Sequence, residues 1–168
     1  ENIWFLNPET LMNPNLEFAQ SVPGNPNKRA TGILDGRSIV MYIPDAINLL
    51  TKSNYWSENH QTKITTWLTD YLNWLTKSKL GVKGSKQKNN HVSWYRFQVA
   101  ALALYLDKKP LVKEMVELAQ NSLEELQNRN IINKEKYNDK NVYFIGTYEY
   151  IKNNYKDKLL FYSMNHPT

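Results

Sequence analysis

Cysteine is absent from the 168 residues. Its absence excludes disulfides, thiolate nucleophiles and cysteine-based zinc sites together. It leaves the compartment open, since a large secreted enzyme can fold without disulfides. No apolar run approaches the roughly 20 residues that span a bilayer, so no membrane partner is expected. An initiator Met, a basic n-region and an apolar h-region are all missing, and no signal peptide is visible. The chain opens in mid-pattern at Glu1-Asn2-Ile3-Trp4-Phe5, which reads as the end of a helix, so a fragment or processed form is expected. Low-complexity tracts and internal repeats are lacking as well. The expectation is a single, partial helical domain over residues 1–168.

What is present is ordinary for a globular chain: 41% hydrophobic and 22% charged residues. Twenty-one basic residues against 16 acidic ones leave a net charge of +5. That modest excess suits a polyanionic partner as well as it suits a plain solvated surface. Nucleic acid is not expected, because no recognition motif accompanies the charge. The five Trp, eleven Tyr and five Phe are more telling, since aromatic rings stack on sugars as readily as they fill a core.

Helical periodicity dominates the middle of the chain. From about Ser57 to Ser78, Ile64, Trp67, Leu68, Tyr71, Leu72, Trp74 and Leu75 recur at three- and four-residue spacing. Ser57 is placed to cap that helix, with Glu58 in its first turn. Gly81 to Lys88 reads as a polar loop. A second helix is expected from near Ser93 to Asp107, apolar almost all round and therefore buried. After a turn at Asp107-Lys108-Lys109, Pro110 opens a third helix to about Asn128, packed against the second as a hairpin. Its expected core positions are Leu111, Met115, Leu118, Ala119, Ser122 and Leu126. Upstream, Arg37 to Leu50 is helical, with Pro44 expected to kink or split it. Asn7 to Gly32, rich in Pro and Asn, reads as a long ordered loop. Beyond Asn128 the pattern dissolves; Val142 to Ile145 fits a short strand or buried turn, and Tyr148 to Tyr155 fits a helix. The class is all-α.

One position carries chemistry. His91 stands where a basic, glycine-bearing loop becomes a buried helix, after Asn89 and Asn90 and before Trp94 and Tyr95. Free backbone N–H groups at a helix N-terminus favour an anion. Together with two Asn side chains and an imidazole they suit a carboxylate. The competing reading makes His91 part of a helix start with Asn90 as the cap.

The run Asn89-Asn90-His91-Val92-Ser93-Trp94-Tyr95, followed by Gln98 and Ala100 to Leu104, resembles the central motif of the alginate lyase family of polysaccharide lyases. Met12 to Gln20 with Pro23-Gly24, Gly32 to Asp35, Asp45 to Leu50 and Trp67 to Leu75 fall in the same order as that family's other blocks, covering most of residues 1–126. The resemblance implies an (α/α) toroid-like helical domain that cleaves a uronate-containing acidic polysaccharide, alginate or a relative, by β-elimination. It further implies a secreted, periplasmic or extracellular setting and no metal or other cofactor. Asn90 would neutralise the uronate carboxylate, and His91 would act as a neutraliser or general base. A tyrosine would donate the proton to the leaving oxygen, with the base's role also open to it.

The family pattern closes with an acidic-Leu-Ala-Arg-Thr run and a Tyr-Ser-x-x-Asn element. No Arg-Thr pair follows His91 here. Tyr162-Ser163-Met164-Asn165 is the nearest echo, with Lys156 near the arginine's place, and Tyr162 is preferred over Tyr148 and Tyr150 as the catalytic tyrosine. Substrate contacts are expected from Asn13, Asn15 and Gln20 in the long loop and from Trp94 and Tyr95. Turn chemistry competes for the asparagines and core packing for the aromatics. His60 and His166 read as bystanders. Lys83, Lys86 and Lys88 form a solvated cluster placed to steer a polyanion. The missing Arg-Thr pair keeps a second function open, a catalytically impaired domain that binds acidic polysaccharide or serves structurally.

Overall fold

The computed structural model describes residues 2–20, 24 and 31–128. A π-helical turn, Asn2–Leu6, precedes five α-helices: α1 (Arg37–Leu50), α2 (Glu58–Lys77), α3 (Lys79–Ser85), α4 (Asn90–Tyr105) and α5 (Lys109–Asn128). No strand occurs among the described residues. Residues Glu1–Met115 form one compact unit; a second unit begins at Val116, partway along α5. None of the described helices is long and apolar enough to cross a membrane.

The first unit is built around α4, which packs against α1, α2 and α3. A helix contacted on several sides needs apolar residues round its circumference. Accordingly Trp94, Tyr95, Gln98, Val99, Ala101, Leu102 and Ala103 are all buried. The facing stripe of α2 supplies Ile64, Trp67, Leu68, Tyr71, Leu72 and Leu75, as its spacing predicts. Ser57 caps α2 by accepting the His60 N–H at 3.2 Å. At the other end of α4, Asp107 adopts a left-handed φ of 53°. The Asp107 N–H then reaches the Leu104 carbonyl, and the Lys108 N–H the Ala103 carbonyl. This pair of bonds satisfies carbonyls that a helix end would otherwise strand.

Four expectations need correction. The Gly81–Lys88 stretch is not a polar loop, for most of it is α3. Ser78 caps that helix, accepting the Gly81 N–H at 2.9 Å, and both glycines are buried. A Cβ on Gly81 would strike the Leu75 carbonyl, and one on Gly84 would lie 2.6 Å from Ile33 Cγ1. The glycines thus permit close packing rather than a turn. The helix expected from Ser93 starts three residues earlier, at Asn90. Pro44 does not split α1, which runs unbroken through it. Val40, Pro44 and Ile47 form the buried stripe of that helix, so packing outweighs one lost backbone bond. In α5, Val112 and Met115 are buried while Leu118 is 39% exposed, so the core-facing stripe starts one residue later than expected and does not include Leu118. The expectations for Val142 to Ile145 and Tyr148 to Tyr155 lie outside the described residues.

Candidate active site

The N-terminus of α4 is set by Asn89. Its backbone is extended, and its side-chain oxygen accepts the His91 N–H at 3.0 Å. Its carbonyl accepts the Val92 N–H at 3.1 Å. Asn89, not Asn90, is therefore the cap, and two first-turn donors are already committed. An anion at this helix end would meet side chains more than backbone N–H groups. Asn90, the first helical residue, is exposed, and the His91 ring behind it is half-buried.

A second segment fixes the imidazole. Thr31-Gly32-Ile33 is wholly buried and is tied to α4 at two points. The Gln98 side-chain amide donates to the Ile33 carbonyl at 2.7 Å and accepts from the Tyr71 hydroxyl at 2.9 Å. One end of this segment, Thr31, places Oγ1 3.3 Å from His91 Nδ1. Gln98 and His91 share a face of α4, two turns apart, so one short segment bridges them. Gly32 makes the approach feasible: its φ is 72°, and a Cβ there would sit 3.0 Å from both Ala19 Cβ and the Leu16 carbonyl. Burial, and secondly the negative charge of Asp35, hold the Tyr71 phenol far above its ordinary range. It is therefore a neutral donor to Gln98.

One turn beyond His91, Trp94 is buried edge-on to Phe97, with ring centroids 5.7 Å apart. The guanidinium carbon of Arg37, first residue of α1, lies 5.8 Å from the Trp94 ring centroid, within cation–π range. Tyr95 is also buried, and burial together with the charge of Glu114 raises its phenol above the ordinary value. Both aromatics belong to the packed body of α4.

The long loop is pinned to α2 by two indoles. Trp67 Nε1 donates to the Met12 carbonyl at 2.6 Å, and Trp74 Nε1 to Glu17 Oε1 at 2.9 Å. Within it, Asn15 accepts the Glu17 N–H at 3.1 Å, an Asx turn that commits its side-chain oxygen. Asn13 is exposed. Gln20 combines a φ of 53° with a buried side-chain oxygen that has no hydrogen-bond partner. A strained backbone and an orphaned polar atom in one residue are costly, and such outliers concentrate at working sites. Leu16 and Ala19 pack on Gly32, which brings the end of this loop beside the Thr31 segment.

The sequence matches the alginate lyase family over residues 1–130. The chain belongs to that family. A solved alginate lyase from Bacteroides ovatus is similar to it at 31% identity and a TM-score of 0.64 over 69% of this chain. The all-helical architecture thus carries the (α/α) toroid-like fold expected of an alginate lyase. The same alignment covers 31% of the solved enzyme, so this chain spans under a third of its length. No curated protein matches.

Two residues that the fold brings to the alginate-lyase motif could not be read from the sequence as its neighbours. Thr31 directly precedes the Gly32 block but carries no motif of its own. Arg37 reads as an ordinary first-turn residue until the fold stacks it on Trp94. Tyr148, Tyr150, Lys156 and Tyr162 lie outside the described residues.

Proposed function

We propose that this chain contributes the carboxylate-binding side of a polysaccharide lyase site acting on a uronate polymer, alginate or a relative. The carrying observation is the His91 ring, half-buried and tied to Thr31 beside exposed Asn90 at the start of α4. β-Elimination removes the uronate C5 proton and expels the C4 oxygen. The ionised carboxylate next to C5 opposes the first step, because charge builds on it as the proton leaves. Hydrogen-bond donors aimed at that carboxylate stabilise the enolate-like transition state, as an oxyanion hole does. Asn90 supplies such a donor on an ordered helical turn, and the exposed Arg37 supplies a cation whose plane is steadied by Trp94. Tyr162 is the proposed acid for the leaving oxygen.

Gln20, with its unpartnered oxygen, is the loop residue best suited to meet a sugar hydroxyl. Asn13 is a second candidate, and Asn15 contributes by shaping the turn. Trp94 and Tyr95 act as the wall behind the site. The substrate is an extracellular polymer, which suits a secreted or periplasmic location.

The test is ultraviolet absorbance of unsaturated uronate products on alginate, on its separate mannuronate and guluronate blocks, and on other uronate polymers. Turnover on at least one, abolished in His91→Ala and Asn90→Ala, is the expected outcome. Polymer binding without turnover, unchanged by His91→Ala, would establish the non-catalytic alternative instead.

A further inference from the structure

We infer that Thr31 is a positioning residue that sets the tautomer of His91, placing the ring proton on Nε2 and leaving Nδ1 as an acceptor. The inference rests on hydroxyl valence. A threonine hydroxyl has one hydrogen to give and two lone pairs to offer. Thr31 is wholly buried, so water does not complete its bonding. The Ile33 N–H donates to Oγ1 at 3.4 Å, which engages one lone pair. The hydroxyl hydrogen then needs an acceptor, and His91 Nδ1 lies 3.3 Å away.

Were Nδ1 protonated, Oγ1 would face two donors and its own hydrogen would be stranded in the interior. Stranding a buried donor is the expensive alternative. With Nδ1 accepting, every group in the cluster is satisfied at once. The ring nitrogen left for the site, Nε2, then carries a hydrogen. Which nitrogen of a histidine is protonated follows from the bond made by the other.

The geometry around Thr31 is rigid enough to impose this choice. Gln98 holds Ile33 from α4 itself, Gly32 is clasped by Leu16 and Ala19, and Asn89 anchors the His91 backbone. The hydroxyl is held by its own buried segment, and the ring is anchored through its backbone at Asn89. Within the proposed lyase site, on which this role rests, His91 meets substrate as an N–H donor. Of the two roles open to it, neutraliser or base, Thr31 selects the first. The proton-abstracting group must then be another residue.

The experiment has a spectroscopic arm that needs no activity. The protein with 15N-histidine is studied by long-range 1H–15N correlation in alkaline buffer, and His91 is assigned from the signal lost in His91→Ala. The expected pattern is a single tautomer, protonated at Nε2 with an acceptor-type Nδ1. It persists in Thr31→Ser and reverts in Thr31→Val to the tautomer mixture of a free histidine side chain. A protonated Nδ1 in the native protein, or a mixture identical in native and Thr31→Val protein, would overturn the inference. Tryptophan fluorescence confirms that each variant is folded, and the native spectrum alone decides the matter if Thr31→Val is not.

The kinetic arm compares kcat and KM. Thr31→Val is expected to lower kcat by roughly 10- to 100-fold with a smaller change in KM, as misoriented catalytic groups do, and Thr31→Ser to restore it. Equal loss in both variants would overturn the positioning role. Absence of lyase activity in the native protein would sink the proposed function while leaving the tautomer result standing.

Discussion

Replacing Gln98 with methionine keeps the volume of the side chain and removes both of its hydrogen bonds. Two partners are then stranded: the Tyr71 hydroxyl and the Ile33 carbonyl, both on residues with 0% exposure. A buried polar group left unpaired costs about 1–3 kcal/mol. Two of them, offset by no longer burying the amide, give an expected loss of about 3 kcal/mol. Water will not rescue the pair, because the space beside them is full: a Cβ on Gly36 would collide with the Tyr71 hydroxyl and the Gln98 amide oxygen. Tyr71→Phe alone strands one acceptor, Gln98 Oε1, at a cost of about 1–2 kcal/mol.

The double variant is the sharp case. Once Gln98 is methionine, the Tyr71 hydroxyl is a liability, so removing it should leave the protein no less stable than Gln98→Met alone. Urea unfolding followed by tryptophan fluorescence is the assay, since all five tryptophans lie within Glu1–Met115. Losses in the double variant that simply add, to within about 0.5 kcal/mol, would refute the reasoning. Such a result would mean that the two groups are not coupled through a dry hydrogen bond.

Other expectations follow from the same geometry. Tyr71 and Tyr95 both have phenols raised by burial; stability is therefore intact below the ordinary tyrosine range and falls as pH rises above it. The still-neutral Tyr71 phenol contributes about 1.4 kcal/mol per pH unit to that fall, and Tyr71→Phe should flatten the alkaline slope measured by urea midpoints. Asn89→Ala removes the α4 cap and should cost about 1 kcal/mol, with Asn89→Asp largely restoring it; an unchanged urea midpoint would count against the cap. Gly81→Ala forces a Cβ against the Leu75 carbonyl and should destabilise by about 1–3 kcal/mol, whereas Gly24→Ala, with open space around it but a φ of 74°, should cost about 1 kcal/mol from backbone strain alone. Arg37→Met should raise KM for a uronate polymer several-fold with little change in urea midpoint; an unaltered KM would remove Arg37 from the site.

Periodicity and local chemistry were enough to place α2 and the body of α4, because both bury a broad apolar surface that leaves its spacing in the chain. The Ser57 cap was legible for the same local reason, a short polar side chain at a helix start. So was the motif around His91, whose neighbours Asn89, Asn90, Trp94 and Tyr95 carry the family resemblance. Glycine misled at α3: Gly81 and Gly84 look like loop residues one-dimensionally, and only their contacts with Leu75 and Ile33 explain why a helix holds them. Pro44 misled likewise, since the packing of Val40 and Ile47 that keeps α1 intact is a property of the assembled core.

The division runs along distance in the chain. Residue types and spacing determined the all-α class, the main helices and the motif at the start of α4, since each depends on neighbours within a turn or two. Tertiary structure alone decided which groups meet that motif. Thr31 lies 60 residues from His91 and Ile33 lies 65 from Gln98, and hydrogen bonds across such separations leave no periodic trace. They form only because a left-handed Gly32 lets a buried segment lie along α4, and that approach gives the His91 ring its partner.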